Sequence, residues 1–370
     1  MTTEFCRRVG IENPIVAFSH CRDVVAAVTK AGGLGVLGAA HFTPAQLETE
    51  LSWIDSQVNG MPYGVDVLAP QPGVGDEDGS DTTDLADQIP QQHRDFIEQL
   101  VERYDIPPST GGAEPVEFSG IIVSRRNLDE QVEVTLRHPV RFLVSGLGPF
   151  PAEIVETAKA KSVLIGGMCG SVKHARRHVA AGADVIIAQG AEAGGHTGEM
   201  STLVVVPQVV DAVAPVPVLA AGGIATGRQL AAVLALGAQG AWMGSTWLTT
   251  HESDVNPILV AKMLAAQSTQ TVKTRCMTGK PVRLLHTEFE EAWAAADAPT
   301  ALPAPLQGML VRPLITRIFQ NKVTQLMGHP VGQAVGFMNE QQTCRAVVED
   351  LMTGLVESLE HVRSELGLDD

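Results

Sequence analysis

The sequence has no long apolar run: nothing in it approaches the ~18 consecutive apolar residues that a membrane-spanning helix needs. Its first residues, from Met1 to Arg8, lack the apolar core of a secretory signal, so a cytoplasmic location is expected. Cysteine is sparse. Cys6, Cys21, Cys169, Cys276 and Cys344 are scattered and odd in number, with no C-x-x-C pair. That argues against a zinc knuckle or a secreted disulfide framework and fits a reducing compartment; no metal site is expected. Positive charge is also short, with 26 Lys and Arg against 42 Asp and Glu, a formal net charge of −16. No dense basic cluster offsets that charge, which speaks against a nucleic-acid partner. The G-x-S-x-G elbow of a Ser–His–Asp hydrolase is missing as well.

What is present is glycine and aliphatic residues. Of 370 residues 36 are glycine, 45% are apolar and 18% are charged, which excludes a disordered chain and supplies a large core. Such a length suits one large domain with an elaboration, or two domains.

Short aliphatic runs alternate with helical patterns. Strands are expected at 14–18, 34–38, 63–68, 140–144, 162–165, 184–188, 216–220 and 240–243, and most are nearly continuous Val, Ile, Leu and Ala. A strand buried on both faces reads that way. Helices are expected at 23–31, 44–57, 85–104, 128–138, 151–159, 172–181, 202–213 and 226–236. Thr43-Pro44, Phe150-Pro151 and Ser171 supply start signals, and Gly182 and Gly237 supply stops. Strict alternation demands a parallel sheet with right-handed crossovers. The expected fold is therefore α/β, a (β/α)8 TIM barrel with a smaller helical substrate-binding extension. The barrel is assigned to 1–250, with an insertion at about 70–115 that carries an acidic tract and a Pro/Gly loop. Residues 251–322 are read as a substrate-binding cap, and 323–370 as a tail whose long amphipathic helix returns to the barrel.

Gly33, Gly35 and Gly38 satisfy G-x-G-x-x-G, with Asp55 downstream. The dinucleotide fingerprint must follow a strand and open a helix. Here the motif follows a helix and contains the strand, so it reads as tight packing. A more informative stretch is 188–198, A-Q-G-A-E-A-G-G-H-T-G, directly after an expected buried strand. Barrel active sites gather at the C-terminal ends of strands. Gly190, Gly194, Gly195 and Gly198 let backbone approach a flat ligand, and Gln189, Glu192 and His196 are placed to act on it. Histidine suits proton transfer near neutral pH. Two more glycine loops, around Gly222-Gly223 and around Trp242-Met243-Gly244-Ser245, follow strands 7 and 8, where barrels bind phosphate. Their N–H groups and the Ser245 hydroxyl suit a monophosphate. His20 and Cys21 after strand 1, and Cys169 after strand 5, face the same mouth as candidate pocket residues. His174 and His178 stand at i, i+4, but Lys173, Arg176 and Arg177 mark a solvated face rather than a metal pair.

Five segments together resemble the nitronate monooxygenase (2-nitropropane dioxygenase) family: A-G-G-L-G at 31–35, Q-G-A-E-A-G-G-H-T-G at 189–198, A-G-G-I-A at 221–225, Gly244-Ser245 and G-Q-A-V-G at 332–336. The family is related to flavin-dependent enoyl-ACP reductases. The resemblance implies an FMN-containing barrel in which Gln189, Gly194, Gly223 and Trp242 to Ser245 contact the cofactor and His196 is the active-site histidine. It implies oxidation of alkyl nitronates or nitroalkanes with O2, giving carbonyl and nitrite. The alternative reading is an NAD(P)H-dependent FMN reductase acting on an enoyl thioester or quinone; a phosphosugar isomerase or a flavin-storing protein stands further off. The expected partners are a small-molecule substrate and O2 or NAD(P)H, with no nucleic acid and no membrane, and a homo-oligomer is left open. Two positions depart from the family. Its usual Asn on strand 3 is Asp66, and its strand-1 pattern P-I-x-Q-A-P-M is replaced by P-I-V-A-F-S-H-C at 14–21 with a shorter loop.

Overall fold

Each aliphatic run becomes a strand with both faces covered. The computed structural model describes residues 2–70, 82–109 and 123–368. The strands are β1 (Ile15–Ser19), β2 (Leu34–Gly38), β3 (Gly64–Val67), β4 (Phe142–Ser145), β5 (Leu164–Cys169), β6 (Val185–Gln189), β7 (Gly195–His196), β8 (Val218–Ala221), β9 (Ala241–Met243), β10 (Thr271–Thr274) and β11 (Val282–Leu285). Eight of them, β1 to β6 with β8 and β9, close a parallel barrel in which β9 pairs back onto β1. The expected (β/α)8 architecture is the one present.

The glycine run in β2 is a packing device. A Cβ at Gly35 would lie 2.2 Å from the Val25 carbonyl oxygen of the neighbouring helix Arg22–Lys30. One at Gly38 would strike the His20 ring at 2.6 Å. Outside the barrel, an aliphatic layer that includes Val25, Leu47, Leu51, Ile54 and Val209 fills the space between strands and helices. Inside it, Val16, Leu34, Val144, Ile187 and Leu219 pack around Phe142 and Trp242.

Several elements differ from expectation. The helix expected at 85–104 is two helices, Thr82–Asp87 and Gln91–Arg103. Pro90 stands between them; it has no N–H to donate and biases Ile89 away from helical backbone. A short helix, Glu4–Val9, closes the N-terminal end of the barrel, with the Phe5 ring edge-on to Phe142 at 5.8 Å. The extension contains strands as well as helices: β10, β11 and β7 form an antiparallel sheet, in which Val282 pairs with His196 and Arg283 with Gly195. Around that sheet, helices Pro257–Ala265, Glu288–Ala294 and Leu306–Gln320 build a second core containing Met263, Phe289, Leu314 and Ile318. Ile89, Leu100 and Ile106, from the segment after β3, join this core rather than the barrel's. Arg317 ties that segment down by donating to the carbonyl oxygens of Ile106 and Pro107. The parts of the expected insertion at 71–81 and 110–115 lie outside the described residues.

The last helix, Cys344–Glu365, packs on the helices Gly227–Ala235 and Arg22–Lys30. Gly227 and Gly354 allow backbone-to-backbone contact there, since a Cβ on Gly227 would lie 2.3 Å from the Gly354 carbonyl carbon. Among the described residues no helix is long and apolar enough to cross a membrane.

Candidate functional site

At the C-terminal ends of the strands a cavity of about 530 Å³ opens between the barrel and the extension. Phe18 and Trp242, stacked with their ring centres 5.7 Å apart and 25° between planes, lie at its base. Strands β1, β3 and β6 deliver His20, Asp66 and Gln189 to its wall; the loop after β6 adds Gly194, Gly195 and His196. The loops after β8 and β9 add Gly222 and Gly223, and Gly244 and Ser245, beside Trp242 and Met243. Residues that the sequence scatters from His20 to Ser245 thus line one space. Cys21 and Cys169 do not line it. Cys21 caps the helix Arg22–Lys30 with its thiol 3.3 Å from the Glu252 carbonyl oxygen, and burial pushes that thiol up to about 11. Cys169 is buried at the end of β5, and burial pushes it up to about 12.

Two loop glycines have the geometry that only glycine tolerates well. Gly222 and Gly223 have φ of +106° and +73°, in the left-handed region. Gln229 holds this turn by donating to the Gly223 carbonyl oxygen at 2.6 Å. The turn leaves the N–H groups of Gly222, Gly223 and Ile224 without a protein acceptor among the described residues. Nearby, the Ser245 oxygen accepts from the Gly332 N–H at 2.8 Å, so its own proton is available to a ligand. Gly332 in turn abuts Gly194: a Cβ on Gly194 would meet the Gly332 nitrogen at 2.7 Å. Orphan donors on glycine loops at strands 7 and 8 fit a phosphate group.

His196 sits on β7 and its Nε2 lies 2.9 Å from the Thr278 hydroxyl. That hydroxyl also meets the Lys280 N–H and carbonyl oxygen, each at 3.3 Å, so it anchors the imidazole through Nε2 and fixes the orientation of the ring. The side chain is exposed on the cavity, yet desolvation by the surrounding walls, then the Lys280 charge, lowers its pKa. It is a neutral imidazole at neutral pH. The His20 Nδ1 donates to the Gly38 carbonyl oxygen at 2.8 Å, and the ring packs on Phe18 and His41 at 5.1 and 4.6 Å.

Glu192, expected to act on the ligand beside His196, faces away. Its carboxylate accepts from the N–H and hydroxyl of Thr202, at 2.9 and 3.0 Å, and so satisfies donors at the start of the helix Thr202–Val213. His178 is buried against β5, where a Cβ on Gly167 would meet its ring at 2.2 Å; no metal-binding group of His, Cys, Asp and Glu exists among the described residues. The residues the sequence reading missed are Lys280 and Arg312 from the extension, and His41 and His329. His41 follows β2 and carries the same positional signal as His20. Lys280 and Arg312 lie in irregular sequence without a motif.

A sequence model of the nitronate monooxygenase family matches residues 9–354. An assigned monooxygenase of Mycobacterium tuberculosis is 46% identical over 366 residues, covering 97% of this chain and 98% of its own. An assigned nitronate monooxygenase of Staphylococcus haemolyticus is 28% identical, covering 83% and 84%. Among solved structures, nitroalkane oxidase from Streptomyces ansochromogenes superposes with a TM-score of 0.78 at 29% identity, covering 95% of this chain and 98% of that one. FabK from Thermotoga maritima gives 0.74 at 26% identity, with 99% of each chain covered. With four of its five family segments gathered around one barrel mouth and the match running through nearly the whole chain, the protein belongs to the nitronate monooxygenase family of flavin-dependent oxidoreductases.

Proposed function

We propose that the cavity holds FMN and that the enzyme oxidises alkyl nitronates, or nitroalkanes, with O2 to a carbonyl compound and nitrite. The observation that carries this reading is a neutral, oriented His196 facing the same cavity as a set of orphan backbone donors. Gly222, Gly223, Ile224 and Ser245 would hold the cofactor phosphate, and Gln189, Gly194 and Trp242 to Gly244 would line the ring site. When bound, the flavin supplies the electron-accepting chemistry. His196 handles the proton: from a neutral nitroalkane the α C–H bond breaks, the proton passes to Nδ1, and the electron pair moves onto the nitro group. Thr278 anchors the imidazole through Nε2, and Nδ1 is the base in this reading. Lys280 and Arg312 line the cavity of a chain whose net charge is −16, and attract an anionic substrate locally. Residues 251–322 act as the substrate-binding cap and exclude water.

The test is anaerobic. The purified protein, loaded with FMN, is mixed with a nitronate alone, and separately with NADH and NADPH. Bleaching of the flavin by the nitronate alone, followed by nitrite release on admitting O2, is expected. Bleaching only by a reduced nicotinamide favours a second reading, an NAD(P)H-dependent reductase of an enoyl thioester or quinone. That reading draws on the apolar wall that Met277, Pro305, Val311 and Ile315 give the cavity, which suits a longer acyl chain, and on the likeness to FabK.

A further inference from the structure

Asp66 is the one carboxyl among the described residues that line the cavity. It is only 7% exposed. Its strand, β3, sets it in register with Gly38 on β2 and Val144 on β4, so neither neighbour offers a polar side chain. Among the described residues it forms no ion pair. Its polar company is the backbone N–H of Gly146, which already donates to the Val67 carbonyl oxygen at 3.0 Å. Gly146 has no side chain, and a Cβ there would sit 3.2 Å from an Asp66 oxygen. The charged and titratable groups facing the same space are His20, His41, His196, His329, Lys280 and Arg312, and the acidity of Asp66 is set by burial and the Gly146 N–H rather than by their charges.

A buried carboxylate held by one shared N–H is poorly stabilised, so the site favours the protonated acid. Burial pushes its pKa up to about 8. The neutral acid then creates a new demand. It carries an O–H that needs an acceptor, and the polar neighbour it has is itself a donor. A carboxylic acid kept neutral in an apolar site to donate a hydrogen bond is a known device in catalysis. The acceptor must come from whatever occupies the cavity, and a flavin ring presents carbonyl oxygens and ring nitrogens that accept.

We propose that Asp66 acts as a neutral acid whose O–H donates to an acceptor atom of the bound flavin, so that cofactor binding requires the carboxyl to be protonated. This rests on the reading that FMN is the cofactor. It gives the substitution for the family's usual Asn a physical sense: amide and carboxylic acid both offer a donor, but only the acid can lose it. The sign follows from linkage. Above the pKa of the free protein's carboxyl, binding must take up a proton, and affinity falls by about tenfold per pH unit.

The experiment measures the dissociation constant of FMN from the apoprotein, by quenching of flavin fluorescence, from pH 6 to 10 in wild type, Asp66→Asn and Asp66→Leu. Wild type is expected to bind evenly at the acid end and progressively worse at the alkaline end. Asp66→Asn should keep the acid-side affinity within a few-fold and stay flat across the range, while Asp66→Leu binds weakly throughout. An Asp66→Asn curve that falls in parallel with wild type overturns the proposal. A second measurement needs no variant: calorimetric titration of wild type with FMN at pH 9, in buffers of different ionisation enthalpy, should register uptake of about one proton. No uptake overturns the proposal equally. Failure of wild type to bind FMN at any pH overturns instead the cofactor assignment beneath it.

Discussion

The two ends of the barrel solve opposite problems with the same strands. At the N-terminal end the helix Glu4–Val9 inserts Phe5, Cys6 and Val9, all 2% exposed or less, against Phe142 and the strand interiors. The polar groups at that end are paired among themselves, Arg8 with Asp184 and the Thr3 hydroxyl with the Gln239 carbonyl oxygen. At the C-terminal end the filling stops at Phe18 and Trp242, and above them the walls carry His20, Asp66, His196, Lys280 and Arg312 around open space. The lower end converts sequence into stability and the upper end spends part of it. A buried carboxyl and orphan N–H groups are each unfavourable in an empty protein and useful only with a ligand in place. The separation predicts that substitutions at one end should leave the property of the other nearly untouched.

The largest effect is expected at the mouth. Replacing His196 by Asn should lower turnover by roughly 10²–10⁴ while the protein keeps its thermal midpoint and its bound flavin, because the ring is open to the cavity and packs little core. Steady-state nitrite release, with the flavin spectrum and melting curve of the same sample, decides it. An unchanged turnover removes His196 from the chemistry. The counterpart at the lower end is Phe5→Ala. Emptying that fully buried ring position should destabilise the fold by about 3–5 kcal/mol, read as a lower urea midpoint, with the turnover of the folded fraction unaltered. A loss of activity in step with stability would dissolve the distinction between the ends.

The two ends also differed in how far the amino-acid sequence could be read. All eight barrel strands were legible because strands covered on both faces are written as unbroken aliphatic runs. The lower plug was not, since Glu4–Val9 is short and its role depends on Phe142 far along the chain. At the mouth, topology told which residues follow a strand, and so found His20 and His196. It could not tell which way each side chain turns. Hence Glu192 serves Thr202 and the Cys21 thiol turns to the Glu252 carbonyl oxygen, although both follow barrel strands. The small sheet was invisible for another reason: β7 is the two residues Gly195–His196, and its partner Val282–Leu285 arrives from the extension. Lys280 and Arg312 come with that same extension, where no period or motif fixes position. The acidity of Asp66 is set by what surrounds it in space, which no local pattern records.

A smaller effect is expected from Thr278→Val. Among the described residues the hydroxyl's hydrogen-bond partners are His196 and the backbone of Lys280, and losing one hydrogen bond of about 0.5–1.5 kcal/mol should slow turnover by roughly 2–13-fold without altering stability. Lost turnover comparable with that of His196→Asn would mean that the orientation, rather than the presence of the imidazole, carries the catalysis.

The smallest effect tests the electrostatics of the mouth alone. Burial and then the Lys280 charge hold His196 below the ordinary histidine value, so its neutral form persists through pH 6.5 and kcat/KM should decline only on the acid side of that point. The sign for stability agrees: the unfolded chain binds this proton more readily than the folded one, so the histidine weakens the fold as pH drops below 6.5. Lys280→Met removes the second cause and leaves the first. The acid limb should therefore move to higher pH while remaining below the ordinary value, and the effect should shrink with added salt in the wild type, where the exposed ammonium is screened. A limb that stays in place would assign the whole depression to burial. A limb that returns to the ordinary value would show instead that Lys280 dominates, and that the mouth tunes its histidine mainly by charge.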